Sequence, residues 1–570
     1  MTPSAIARIL SSEPKDVSLT QRPRFGHIVS VSGSQAVAAL DTSYQNDTKV
    51  IKRIEIGTLV KIPTPVSSVV GIVSAMSSPM PASSSSETEI QLVELNLAGE
   101  IFVDSKTGAS YFRRGVSTSP ALGDPVAYTS REDLACVYVQ PKASTIDVGT
   151  LFQDSTVPAH FLVDELFGKH FLVVGTTGSG KSCAMTSILQ RVLGEHRHAH
   201  IVVLDIHSEY AQAFGDQAEL IHPNNLRLPF WLLNFQELCA ALAGNDSQRD
   251  AEVQILTEAI VAAKRKNIGG QTGSGIIRNS PDNALGKRLV GKGAGITVDT
   301  PSPFLLSDVI AYLDEQLGKL ERVQGTLPYL RLKSRIEALV ADARYGFMFR
   351  SVTVEDTMAD VLGRIFRVPA DDKPITVIDL AAVPSEILDI VISLLARLAF
   401  DLAVWSEGRM PMLLVCEEAH RYAPAADGDK FVPTRQALAR IAREGRKYGI
   451  SIGLVTQRPS ELDTTIISQC STVIAMRLST EHDQQVMRAN THDGALDLLA
   501  YLPLLGDREA IVVGQGVPMP MRIKFHDLGD TNVPRSRHGG FSSAWKSANI
   551  DRPQLDEIVA LWRSTGRYIG

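Results

Sequence analysis

The stretch FLVVGTTGSGKSCAMTSILQRVL, residues 171–193, decides the architecture. It opens as an apolar run suited to a buried strand and closes with helical spacing. Between them, Gly175, Thr176, Thr177, Gly178, Ser179, Gly180, Lys181 and Ser182 match GxxxxGK[ST] in full, in the strand-to-helix setting that this spelling requires. Glycines let consecutive backbone N–H groups close around phosphates, and the helix start adds its positive end. Lys181 is expected to reach the β- and γ-phosphates of ATP, and Ser182 to hold Mg²⁺.

Outward from this stretch, buried-type runs alternate with helical segments: IVVLD (201–205), ITVIDL (375–380), MLLVCE (412–417), ISIGLVTQ (450–457) and TVIAMRL (472–478). That rhythm predicts a mainly parallel α/β sheet. The long interval between IVVLD and ITVIDL exceeds what one crossover helix needs, so a helical insert is expected there. Within it, residues 264–292 are Gly-rich and basic, from Lys264, Arg265 and Lys266 to Lys292, with Asp282 the single acid. Two readings fit: a solvated loop, or a segment that touches DNA.

Upstream, GHIVSVSG, GTLVKI, SSVVGIVSAM, EIQLVELNL, GDPVAYTS and ACVYV read as short strands of a small barrel or sandwich. The run SSPMPASSSS (77–86) interrupts them and reads as a surface loop.

Phosphate transfer needs carboxylates beside the phosphates, and MLLVCEEAH (412–420) supplies two directly after an apolar strand. Glu417 is expected to help hold the metal through its water shell, and Glu418 to polarise the attacking water. His420 fits a structural or a catalytic role. Gln457 and Asp205 end neighbouring strands, where open α/β sheets bind ligands; either could instead cap the segment that follows. In TRQALARIAREGRK (434–447), Gln436, Arg440, Arg443 and Lys447 share one helical face and Leu438, Ile441 and Ala442 the other. A row of cations there suits a phosphate bound by an adjacent subunit, or simply water.

Composition sets bounds on all this. The chain has 570 residues, too many for a single core, with 44% hydrophobic and 21% charged residues, as in folded domains. With 57 Lys+Arg against 63 Asp+Glu, any grip on nucleic acid must be local. Five scattered cysteines without a CxxC pair argue against a zinc or disulfide framework and fit a reducing cytoplasm. The apolar stretch from Glu386 to Trp405 is broken by Asp389, Arg397 and Asp401, so neither export nor membrane insertion is expected.

GTTGSGKS (175–182), DIHSEY (205–210), LPFWLLNFQEL (228–238), CEEAHRY (416–422), IAREGRKYG (441–449), TQRPSELD (456–463) and LPLLGDREAIVVG (502–514) together resemble the HerA family of hexameric DNA translocases, within the HerA/FtsK group. The resemblance implies an N-terminal β-barrel for assembly at 1–150, a RecA-like ATPase core at 151–515 with its helical insert at about 236–365, and a C-terminal brace at 516–570. It implies a homohexamer around double-stranded DNA, with Lys181 on phosphate, Glu418 catalytic, Gln457 a polar sensor and Arg443 acting in trans. Many relatives spell DPHGEY where this chain has Ile206 and Ser208 in place of Pro and Gly. Many also carry Arg where Lys169 precedes His170; Lys169 is expected as a second cation on the nucleotide, without a bidentate fork. The motor reading pairs the chain with a separate nuclease. One alternative is an ATPase ring that acts as a regulatory scaffold for a nuclease or sirtuin-like effector, as in anti-phage systems. Another is an ATPase of the conjugation and secretion type.

Overall fold

The computed structural model describes residues 24–41, 54–78, 91–138, 143–244, 248–270, 295–319, 325–349, 355–425, 432–491, 498–529, 532–534, 545–546 and 551–565. The N-terminal strands are β1 (Arg24–Ser32), β2 (Gln35–Leu40), β3 (Leu59–Pro63), β4 (Ser68–Ser77), β5 (Leu92–Val103), β6 (Ser110–Arg114) and β7 (Pro125–Tyr128). They run in the order β2-β1-β7-β3-β4-β5, and β2 pairs back onto β5 to close a six-stranded barrel. The first half of β5 makes that closure while its second half, Gly99 to Val103, pairs with β6. Alternate residues such as Val60 and Ile62, or Val93 and Leu95, point into the barrel core beside Phe25 and Val126. Closure removes the edges that so small a sheet would otherwise expose.

One expected strand is not there. The first four residues of ACVYV, Ala135 to Tyr138, lie in the helix Arg131–Tyr138, and Val139 lies outside the described residues. Ser130 and Asp133 form a reciprocal cap, Asp133 N–H to Ser130 Oγ at 3.0 Å and Ser130 N–H to Asp133 Oδ2 at 2.9 Å. That start signal overrides the β-branched composition of the run. Of the Ser-rich run, only its first two residues fall within the described residues.

The second sheet contains β8 (Thr145–Leu151), β9 (Pro158–Leu162), β10 (His170–Val174), β11 (His200–Asp205), β12 (Ala218–Ile221), β13 (Ile375–Asp379), β14 (Met412–Cys416), β15 (Ile450–Thr456), β16 (Cys470–Ala475), β17 (Glu509–Gly514) and β18 (Met521–Phe525). Their order is β12-β13-β11-β14-β15-β10-β16-β17-β18-β8-β9. Pairing is parallel from β12 to β16 and antiparallel beyond. All the α/β strands expected from sequence are present. The boundary expected at residue 150 falls inside β8, which pairs with β18 and β9 and so is part of the core sheet. Likewise β18 places the beginning of the expected C-terminal brace within that sheet.

The barrel docks by specific polar contacts. Arg114 Nε donates to Pro518 O at 2.5 Å, and its Nη2 to Gly514 O and Val517 O. Gln153 bonds both the N–H and the C=O of Leu59, and Lys61 pairs with Asp133 at 2.7 Å.

Between β12 and β13 stands the helical insert, with helices Phe235–Leu242, Arg249–Gly270, Leu306–Lys319, Leu327–Ala341 and Met358–Phe366. Lys264 is not in a loop. It is buried inside the second of these helices, with Nζ donating to Val298 O and Thr300 O at 2.7 Å each and lying 5.5 Å from the Phe304 ring centre. Lys266 pairs with Asp308. Residues 271–292 of the basic run lie outside the described residues. Among the described residues, no helix is long and apolar enough to cross a membrane.

Candidate phosphate-binding site

The strand order sets the geometry. β15 lies between β10, which leads into Gly175–Ser182, and β14, which leads into Glu417 and Glu418. Two strand spacings separate the glycine-rich loop from the acids by about 10 Å, leaving room for a phosphate group between them. The tip of β15 carries Gln457 into that gap.

Gly178 (φ 78°) and Gly180 (φ 100°) hold the loop in left-handed conformations, and Thr176 N–H anchors it to Arg477 O at 2.8 Å. Lys181 starts the helix Lys181–Glu195 and is buried, its Nζ donating to Thr176 O at 3.3 Å. Burial pushes its ammonium below the ordinary lysine range, while the charges of Glu418, Glu417 and Glu209 push back. Beside this helix start a cavity is lined by Gly180, Cys183, Arg508, Phe525, His526 and Asp527, with Arg508 paired to Asp527 at 2.7 Å.

Glu418 has a left-handed backbone, φ 46°, which costs a non-glycine residue strain and aims its side chain along the strand tips. Its Oε1 accepts from Gln457 Nε2 at 2.5 Å and its Oε2 from the Gln457 backbone N–H at 3.3 Å. The other end of the Gln457 amide accepts from the Thr177 hydroxyl. His420 Nδ1 lies 3.3 Å from Glu418 Oε2 and 3.0 Å from Thr456 Oγ1, so it braces the carboxylate.

Glu417 is buried. It is 2% exposed, its Oε2 accepts from the Tyr210 hydroxyl at 2.6 Å, and its backbone C=O accepts from Tyr422 at 3.0 Å. Burial pushes its carboxyl up to about 8; the Tyr210 bond opposes this, and the charges of Glu418, Glu209 and Asp205 add to it.

Asp205 organises the loop after β11. Its carboxylate accepts from the N–H of His207 at 3.1 Å and of Tyr210 at 2.9 Å, the capping alternative. Ser208 stands where the resembled motif has Gly, and it adopts the left-handed φ of 59° with its hydroxyl donating to Asp379 at 2.7 Å. The serine thus keeps the glycine-type turn. The turn delivers Glu209, whose Oε2 accepts from Ser182 Oγ at 2.6 Å. Glu209, Tyr210 and Asp379 were not singled out by sequence; the first two lie in DIHSEY, and their spacing from Asp205 carried the only signal.

Two expectations change. Lys169 precedes β10 at the sheet edge opposite the glycine-rich loop, about 20 Å away along the strand. Its ammonium pairs with Glu165 and Gln515, so it does not serve the phosphate site of its own chain. On the helix Val432–Glu444, Leu438, Ile441 and Ala442 are buried as expected, but Arg440 packs 4.3 Å over the Phe400 ring. Arg443 and Lys447 are left exposed.

A hard cation fits this place. Ser182 Oγ, the Glu209 carboxylate and the nearby acids are oxygen donors of the type magnesium prefers. Among the described residues no group of three or more His, Cys, Asp or Glu could hold a metal by itself.

Residues 146–399 match the family model "Helicase HerA, central domain". A probable helicase of Methanocaldococcus jannaschii is 25% identical over 482 residues, 82% of each chain. The DNA double-strand break repair helicase HerA of Pyrococcus furiosus is 27% identical over 421 residues, 67% of this chain and 70% of that one. The chain is thus similar to HerA helicases over most of its length. VirB4 of Thermoanaerobacter pseudethanolicus aligns over 69% of this chain and 98% of its own, at 14% identity and a TM-score of 0.45. With an intact glycine-rich loop and acid pair beside this similarity, the chain is an ATPase.

Proposed function

We propose that this chain hydrolyses ATP with magnesium and uses the energy to move duplex DNA through a homohexameric ring, working beside a separate nuclease or sirtuin-like effector. The observation that carries the reading is the link from Thr177 through Gln457 to Glu418, which ties the phosphate loop, the tip of β15 and the general base into one hydrogen-bonded unit.

In this reading the loop N–H groups and Lys181 hold the β- and γ-phosphates, and the cavity by Cys183 and Arg508 takes the nucleoside. Ser182 and the acids around it would hold magnesium, which when bound neutralises charge on the phosphate oxygens. Glu418 orients the attacking water and accepts its proton. Thr177 turns its hydroxyl from the Gln457 amide oxygen to a phosphate oxygen, and the freed amide carries that change into β15. Exposed Arg443 serves the site of the neighbouring subunit, the barrel carries ring assembly, and the C-terminal segment beyond β18 braces a neighbour.

The test uses Glu418→Gln with ATP. Native mass spectrometry is expected to show a trapped six-fold ring, and duplex DNA to bind it without sequence preference and with a steep loss of affinity on adding salt. Wild-type hydrolysis should rise with duplex DNA. Hydrolysis indifferent to DNA, together with no duplex binding at low salt, would replace the motor by the scaffold reading.

A further inference from the structure

Beyond the two acids that follow β14, we infer that Glu209 is the carboxylate that serves the magnesium side of the site, in the role that sequence assigns to Glu417. The inference rests on the proposed phosphate site. Ser182 Oγ is the hydroxyl that a loop of this spelling offers to magnesium. Its hydrogen is donated here to Glu209 Oε2 at 2.6 Å. A carboxylate bonded to a metal-binding hydroxyl stands within reach of the waters that an octahedral magnesium keeps.

Glu417 is badly placed for the same task. It is 2% exposed, and one of its oxygens is taken by the buried Tyr210 hydroxyl at 2.6 Å. Glu209 is half-buried, with its carboxylate facing the phosphate loop rather than the strand beneath.

Its position is enforced from three sides. Asp205 pins the backbone N–H of His207 and Tyr210 on either side of it. Ser208 turns left-handed immediately before it and is tied to Asp379 at 2.7 Å. Tyr210, immediately after it, is buried and bonded to Glu417. Consecutive residues thus reach in different directions, Glu209 to Ser182 and Tyr210 to the acid of β14. Tyr210 thereby occupies Glu417 while its neighbour supplies the working carboxylate.

The test measures metal directly, with Mn²⁺ replacing Mg²⁺ and free Mn²⁺ read by electron paramagnetic resonance in the presence of ADP. Wild type, Glu209→Gln and Glu417→Gln are compared, and ADP binding is measured separately in EDTA. Loss of a partner to a metal ligand costs about 10- to 100-fold in metal affinity. Glu209→Gln is expected to weaken Mn²⁺ binding to the ADP complex about tenfold while metal-free ADP binding stays within about twofold. Glu417→Gln is expected to leave Mn²⁺ affinity nearly unchanged. An unchanged Mn²⁺ affinity in Glu209→Gln, or a larger loss in Glu417→Gln, overturns the assignment and leaves the phosphate site standing. A wild-type protein that binds no ADP overturns both.

Discussion

The side-chain amide of Gln457 is used at both ends, donating to Glu418 Oε1 at 2.5 Å and accepting from the Thr177 hydroxyl. Because β15 separates β10 from β14, this single residue bridges the phosphate loop and Glu418, the proposed general base. Gln457→Ala would take the side-chain amide donor from Glu418 and leave it the backbone N–H of residue 457. ATP affinity is expected to stay within a few-fold while turnover falls about 10²-fold, the scale of a misplaced general base. Equilibrium nucleotide binding and steady-state hydrolysis check it; wild-type turnover would remove the bridge from the mechanism.

Lys181 is the buried cation of the loop, and three carboxylates lie close enough to influence its charge. Lys181→Ala leaves the β- and γ-phosphate charges beside those acids without compensation. Hydrolysis is expected to fall by about 10²-fold or more, with tight ATP binding lost. Calorimetric titration with ATP and a phosphate-release assay report this, and turnover within threefold of wild type would contradict it.

Burial moves the Glu417 carboxyl from its ordinary 4.5 to about 8. A carboxyl raised by folding binds its proton more tightly in the native state, so the native state loses stability as pH rises from the ordinary value through the raised one. Without nucleotide, the wild-type Tm is expected to fall relative to that of Glu417→Gln between about pH 5 and pH 8. Asp205 is also raised by burial and contributes in the same direction to both proteins, so the difference isolates Glu417. A Tm difference that is constant across this range would show that Glu417 ionises normally.

Lys264 is a packing residue of the helical insert, donating to two backbone carbonyls at 2.7 Å each. Lys264→Ala is expected to destabilise the chain by about 2 kcal/mol, since two half-buried acceptors lose their donor. Chemical denaturation measures the loss. Reduced duplex affinity with unchanged stability would restore a DNA-binding role.

Arg443 asks whether the site is shared between subunits. It is exposed at the end of its helix, with Nε bonded to Ala439 O at 3.2 Å. Arg443→Ala is expected to preserve ATP affinity and to cut hydrolysis strongly, since arginines acting in trans are worth about 10³- to 10⁵-fold in rate. Mixed with Glu418→Gln subunits, it should regain activity where a subunit with intact Glu418 meets a neighbour with intact Arg443. No rescue in verified mixed rings, or normal activity of Arg443→Ala alone, would leave Arg443 as a solvated face.

The phosphate loop, the acid pair and the α/β strands were legible in the sequence because each is contiguous. Strand, glycine spacing, lysine and helix start occupy neighbouring positions, and buried parallel strands leave unbroken apolar runs. The expected strand ACVYV became a helix because a local cap between Ser130 and Asp133 outweighed composition. What only the tertiary structure decided depends on which strands lie side by side. That Glu209 reaches Ser182, that Tyr210 occupies Glu417, that β8 joins β18, and that Lys169 sits at the far edge of the sheet all follow from strand order and direction. A motif spells which groups are available; long-range pairing chooses which of them meet, because a side chain's partners are set by the sheet that carries it and not by its neighbours in the chain.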